Sequence, residues 1–162
     1  MTNGLWQQLG LIALYTTHYL SIAVWVGVML FNLIVNFPAI RSRTRTPSDY
    51  VAAMSAQSKR AGPWLYILIA LTLLSGWALA TIHGGATSGR YGDAMLAKSA
   101  LLALMLAFHL WGSFGLWPKI HFAVETEWPK LMLQYQLSIA FSSVFGIAAI
   151  LLTYALRVFP AT

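Results

Sequence analysis

Gln8 to Phe37 reads QLGLIALYTTHYLSIAVWVGVMLFNLIVNF. The stretch holds no Asp, Glu, Lys or Arg, and it carries one imidazole, His18, among Leu, Ile, Val and Ala. A hydrocarbon core about 30 Å thick is crossed by about 20 helical residues, so the stretch predicts a transmembrane helix. Three more apolar runs of the 162-residue chain are long enough to do the same, giving expected spans at about 8–37, 63–83, 94–117 and 131–156. The chain is 59% hydrophobic and 9% charged, against about 45–50% and about 25% in soluble proteins. The runs are too long, and too rich in Leu, Ala and Ile, for the alternating strands of about ten residues that build a membrane β-barrel. The expected fold is an all-α integral membrane protein, a four-transmembrane-helix bundle forming one membrane domain over 1–162. Short connections predict antiparallel neighbours.

Net charge is +6, and its distribution argues for membrane topology rather than for nucleic-acid binding. Arg41, Arg43, Arg45, Lys59 and Arg60 crowd the segment between the first two spans. Such clusters mark the cytoplasmic side. Lys119 and Lys130, offset by Glu125 and Glu127, lie in the third connection. Both termini are therefore expected outside, in the periplasm if the membrane is a bacterial inner membrane. No Lys or Arg precedes the first span, which is too long for a signal-peptide core, so it is expected to be retained. Cysteine is absent. That excludes disulfides, thiolate metal sites, iron–sulfur clusters and c-type haem attachment, and leaves a non-covalent haem or a nitrogen- or oxygen-ligated metal. No repeat of fixed period and no low-complexity segment is visible.

Local signals set the expected boundaries. Span one should end before Pro38, because the residue preceding a proline is pushed out of the α region. SDYVAAMSAQSKR, from Ser48 to Arg60, reads as a short cytoplasmic helix capped by Ser48. Gly62-Pro63 should open span two, since proline is tolerated in a first turn. HGGATSGRYGD, from His83 to Asp93, reads as an external loop, and WPKIHFAVETEWPK, from Trp117 to Lys130, as an internal connection. Trp6, Trp64, Trp117 and Trp128 lie near span ends, where indoles favour the interface.

Ionisable groups within spans are costly and normally face the bundle interior, where they mark function. His18, Lys98 and His109 are of this kind, with His83 at the outer end of span two. Residues seven or eleven apart on a helix lie within about 20° of one face. His18 thus shares a face with Trp25 and with Met29, and Lys98 shares one with His109, about 16 Å along the axis. Met105 lies on the same stripe. Spans one and three run in the same direction, so two levels of potential ligands are expected. The outer level has His18, Lys98 and His83, and the inner level has His109 with Met29 or Met105. A neutral imidazole ligates haem iron or copper through one nitrogen while the other is oriented by a hydrogen bond. Simpler roles stand beside these. An intramembrane His also serves as an interhelical hydrogen-bond partner, Lys98 can snorkel outward, Met fills core gaps, and Trp25 packs or stacks on a flat cofactor. His83 beside Gly84-Gly85 reads equally as an exposed loop residue, and His121 near Glu125 as a cytoplasmic one.

HYLSIAVWVG, with His18, Trp25 and Gly27, resembles the first-helix pattern of the CopD-like membrane proteins, a group that looks related to the membrane part of a bacterial urate oxidase and to HemJ, the membrane protoporphyrinogen oxidase. MLAKSALLALMLAFH, from Met95 to His109, resembles the third helix of HemJ-like proteins. SKRAGPWLYILIALTLLSGWAL looks like their second helix. The resemblance implies a b-type haem in the bundle, with His18 and Lys98 at the positions those proteins need for haem binding and activity, and a reaction that draws electrons and protons from protoporphyrinogen. The chain departs from HemJ after His109, where Leu110-Trp111-Gly112 follows, and in KLMLQYQLS before span four. Those departures bear on the substrate and leave the haem implication intact.

The first expectation is accordingly a haem b redox protein of the membrane, for electron transfer or a quinone-linked oxidoreduction. Its site residues would be His18, Lys98, His109, His83 and Trp25, with the three histidines as metal ligands. A quinone, respiratory-complex subunits or a tetrapyrrole would be its partner, besides membrane lipid, and oligomers are compatible with it. The alternative is CopD-like copper transport or handling, with His18, Met29, Met105 and His109 as steps for the ion. A structural subunit of a respiratory complex is a third reading.

Overall fold

The computed structural model of the chain describes residues 2–82 and 89–158. Every element in it is helical: α1 (Thr2–Phe31), a π-helical segment (Asn32–Asn36), α2 (Phe37–Arg43), α3 (Pro47–Ile82), α4 (Gly89–Leu110), a second π-helical segment (Trp111–Leu116), α5 (Trp117–His121) and α6 (Trp128–Val158). Four continuous helical stretches are long and apolar enough to cross a membrane: Gly4–Arg43, Pro47–Ile82, Gly92–His121 and Trp128–Ala155. The protein is an all-α integral membrane protein, as its hydropathy predicts.

The helices overrun the expected spans. Gly4–Arg43 has 40 residues, about 60 Å at 1.5 Å per residue, twice the hydrocarbon thickness. Pro38 does not end the first helix. The π segment before it shifts the hydrogen bonding to a wider turn, in which the Phe37 N–H reaches the Asn32 carbonyl, and Pro38 falls in the first turn of α2, where a missing N–H is harmless. Pro118 follows the second π segment in the same way, with the Trp117 N–H on the Gly112 carbonyl. The separate helix expected over Ser48–Arg60 is instead the start of α3, which runs through Pro63 unbroken. Its cap is Thr46 rather than Ser48. The Asp49 N–H donates to Thr46 Oγ1 at 3.1 Å, and the Thr46 N–H donates to Asp49 Oδ2 at 3.3 Å, a reciprocal capping box.

α1 packs along α3, α4 along α6, and α1 also meets α6. The buried positions recur at helical spacing: Ser21, Ile22, Trp25, Val26 and Met29 on α1, and Ser138, Ile139, Ser142, Ser143 and Ala149 on α6. Small hydroxyl residues line these seams because lipid gives apolar helices no reason to associate, whereas close approach and interhelical hydrogen bonds do. Thr72 Oγ1 donates to Ser21 Oγ at 2.9 Å, tying α3 to α1, and Ser142 Oγ donates to the Met105 carbonyl at 2.7 Å, tying α6 to α4. Large apolar side chains such as Leu20, Ile34, Leu74, Trp77, Phe114 and Leu151 are exposed on the outer faces. So much contiguous apolar surface suits contact with lipid rather than water. Of the four tryptophans expected at the interface, Trp6 and Trp64 are exposed, but Trp128 is buried at 6%. Its indole packs edge-on against Tyr50, with ring centroids 5.5 Å apart.

Candidate functional site

The two expected levels both face inward. At the outer one, His18 on α1 is half-buried against α3. Its Nδ1 lies 3.1 Å from the Thr72 carbonyl oxygen and 3.2 Å from Ser75 Oγ. A carbonyl only accepts, so Nδ1 carries the proton and donates it, which leaves the lone pair on Nε2. Ser75 sends its own hydroxyl proton back to the Leu71 carbonyl and is free to accept as well. Gly76 makes room for the ring: a Cβ there would stand 2.9 Å from His18 Cε1 and 3.3 Å from Nδ1. The imidazole is thus held in one tautomer and one plane, as metal-ligating histidines are. Lys98 on α4 is half-buried and within electrostatic reach of this ring, so His18 and Lys98 share a level. His83, the third expected member, lies outside the described residues.

The inner level is built where α1, α4 and α6 meet. His109 is buried at 7%, Met29 at 2%, and Trp25 and Met105 are wholly buried. The Trp25 indole stands perpendicular to the His109 ring at 5.7 Å between centroids, and Tyr66 of α3 also lies edge-on to it at 6.2 Å. Four residues make about one turn, so Met105 lies a turn from His109 on α4 and Met29 a turn from Trp25 on α1. Both thioethers belong to one packed core with Trp25. Gly146 of α6 allows this closeness, since a Cβ there would meet Val26 Cγ2 at 2.5 Å and Met105 Sδ at 3.0 Å. Two polar atoms in this packing have no hydrogen-bond partner, His109 Nε2 and Trp25 Nε1. Buried polar atoms are nearly always paired, and an exception calls for an explanation such as an ion.

The donor types limit what such a site can hold. Among the described residues no three of His, Cys, Asp and Glu come together. Nitrogen and thioether sulfur remain, a soft-to-borderline set that suits Cu(I). The inner level does not fit a haem. Trp25 and Met105 are fully enclosed and Gly146 is already in contact with its neighbours, so a porphyrin plate would have to split α1 from α4 and α6. The outer level presents a fixed imidazole lone pair that suits either an ion or an axial ligand.

Sequence reasoning missed the Thr72 carbonyl, Ser75 and Gly76 around His18, and Tyr66, Ser142 and Gly146 around the inner level. The spacing of Thr72, Ser75 and Gly76 in span two, small residues on one face, is the signal that was available. His121, expected as a cytoplasmic loop residue, ends α5 and pairs its Nε2 with Ser55 Oγ of α3 at 3.0 Å.

No curated protein and no solved structure matches the chain. The family model of copper resistance protein D matches residues 56–156. That segment runs from the first third of α3 almost to the end of α6 and contains Thr72, Ser75, Gly76, Lys98, Met105 and His109, while His18 lies before it. Well over half of the chain is covered, and the chain belongs to the copper resistance protein D family.

Proposed function

We propose that the protein handles copper inside the membrane, passing Cu(I) between the two donor levels. The outer level would offer His18 Nε2, and the inner level His109 Nε2 with the Met105 and Met29 thioethers. The observation that carries this reading is the unpartnered Nε2 of a buried His109, whose ring packs edge-on against Trp25, in a core that also holds buried Met29 and Met105. Membership of a copper-resistance family supports it. Cu(I) tolerates low coordination and soft donors, so a ring nitrogen and one or two sulfurs suffice. Lys98 near the outer level would limit how long a cation stays there, which favours onward movement over storage.

The fixed lone pair at His18 keeps haem b as a second reading, confined to the outer level. Haem would supply a one-electron redox couple, while His18 would hold the iron and Lys98 would face the propionates.

The test is Cu(I) titration of the purified protein against a chromophoric chelator, with X-ray absorption at the copper edge. Bound Cu(I) with mixed nitrogen and sulfur scattering is expected, and His109→Leu, which keeps the volume, should lose the sulfur-containing site. Cu(I) binding unchanged by His109→Leu would reject the inner level. A Soret band that shifts on reduction and disappears in His18→Ala would establish the haem reading instead.

A further inference from the structure

At the opposite end of the seam, where the Arg-rich segment leaves the bundle, two more donors lie buried without a partner: the Tyr50 hydroxyl and Trp128 Nε1. Tyr50 is 2% exposed and Trp128 6%. They come from the first turns of α3 and α6, and their rings meet edge-on at 5.5 Å. Arg41 of α2 lays its guanidinium over the Trp128 ring, 5.4 Å from the centroid, and lies within electrostatic reach of the Tyr50 oxygen. Three elements therefore bring a phenol O–H, an indole N–H and a guanidinium to one place. All three groups are hydrogen-bond donors, and no hydrogen bond joins any two of them.

The chemistry asks for an anionic oxygen. A guanidinium matches phosphate oxygens in a fork, and charge-assisted hydrogen bonds from neighbouring donors strengthen the fit. The acidic side chains nearest in sequence do not fill the role: the Asp49 carboxylate caps α3 through the Thr46 N–H, and Glu127 is exposed. Arg43 and Arg45 stand exposed close by along the chain and add to the positive potential. The height in the membrane narrows the choice of anion. Phe31, Ile34 and Val35, a few turns away on the same continuous helix, are exposed apolar residues of the lipid-facing surface. A basic cluster just beyond such a surface is placed at headgroup depth, where anionic lipid is concentrated.

We propose that Arg41, Tyr50 and Trp128 form a phosphate-binding site whose occupant is the headgroup phosphate of an anionic phospholipid. The exposed Arg41 side chain is the movable member: turning it off the Trp128 face opens the two ring donors to a phosphate entering from the interface. The bound lipid would pin α2 to the starts of α3 and α6.

The whole chain in detergent tests this. Its thermal midpoint is measured with phosphatidylglycerol, phosphatidylcholine or inorganic phosphate, and native mass spectrometry counts retained lipid. Phosphatidylglycerol is expected to raise the midpoint and remain bound, with phosphatidylcholine and inorganic phosphate much weaker. Tyr50→Phe keeps the ring packing and removes one donor, so it should weaken phosphatidylglycerol about tenfold, the scale of one lost charge-assisted hydrogen bond. Arg41→Gln, on an exposed side chain that leaves folding intact, should abolish the preference for the anionic lipid. Equal retention of phosphatidylglycerol by both variants and the parent would overturn the site. A midpoint rise in Tyr50→Phe in every condition, with lipid retention unchanged, would do the same, since the hydroxyl would then be only an unpaired group. A response to inorganic phosphate as large as that to the lipid would overturn the lipid as occupant.

Discussion

At the scale of single residues, the outer level rests on an atom that is missing. Gly76 has no Cβ, and the one it would gain on mutation to Ala stands 2.9 Å from His18 Cε1. The ring would have to rotate, and its Nδ1 hydrogen bond to the Thr72 carbonyl would stretch or break. Losing a partner that orients a metal-ligating histidine typically costs about 10–100-fold in metal affinity. Stability should move much less, because Ala gains about 1 kcal/mol over Gly in a helix interior and offsets part of the strain. Gly76→Ala is therefore expected to keep its thermal midpoint within a few degrees while its outer-level affinity falls, as read by stepwise Cu(I) titration. A large midpoint loss with intact affinity would mean that Gly76 serves packing alone. The sequence makes His18, Trp25, Met29, Met105 and His109 legible because seven- and eleven-residue spacings put them on inward faces, and all but half-buried His18 are buried. The rest of the site was hidden for a physical reason. A backbone carbonyl carries no residue signature, and the space above a glycine shows only when the opposing helix is in place.

At the scale of elements, spans were legible and their ends were not. Hydropathy marks where lipid contact begins and ends, whereas a helix stops where its hydrogen bonding fails. The two π segments separate these events. Each widens the turn just ahead of Pro38 or Pro118, so the helix passes a residue that normally stops it. α3 continues outward from its apolar part because Thr46 and Asp49 cap it four turns beyond. Packing between elements depends on Gly146, where α6 crosses Val26 of α1 and Met105 of α4. A Cβ at 2.5 Å from Val26 Cγ2 meets a β-branched side chain with one favoured rotamer in a helix, so the helices must separate. Overpacking of this kind costs about 1–3 kcal/mol. Gly146→Ala should lower the thermal midpoint clearly and, by parting α6 from α1 and α4, weaken the inner level along with it. Gly27, whose added Cβ would meet nothing within 4 Å, supplies the control: Gly27→Ala should leave the inner level unchanged and raise the midpoint slightly, through the helix preference for Ala alone.

At the scale of the whole molecule, the chain is two halves with the same order of elements: a long helix, a π segment, a short helix opened by proline, and a second long helix. No repeat shows in residue identity, yet the spacings agree. His18 and Lys98 each stand 20 positions before the proline of their half, Pro38 and Pro118, and Met29 and His109 each stand 9 before it. Each half crosses twice, so both enter in the same sense, as parallel repeats do. This is why the outer pair and the inner pair fall at matching depths. Direction across the membrane then follows from charge. Arg41, Arg43, Lys59, Arg60, Lys119 and Lys130 all belong to the end beyond the inner level, and positive residues in short connections stay cytoplasmic. The His18 level should accordingly face out and the His109 level in. The absence of cysteine makes this directly measurable. Gln7 and Ser58 are both exposed and lie at opposite ends. In intact cells or spheroplasts, Gln7→Cys should react with a membrane-impermeant maleimide, and Ser58→Cys should react only after the membrane is opened. The reverse pattern would place His109 at the outer side and invert the direction of the copper route proposed above. Labelling of both positions in intact cells would contradict the bundle's crossing of the membrane itself, because one apolar helix separates them.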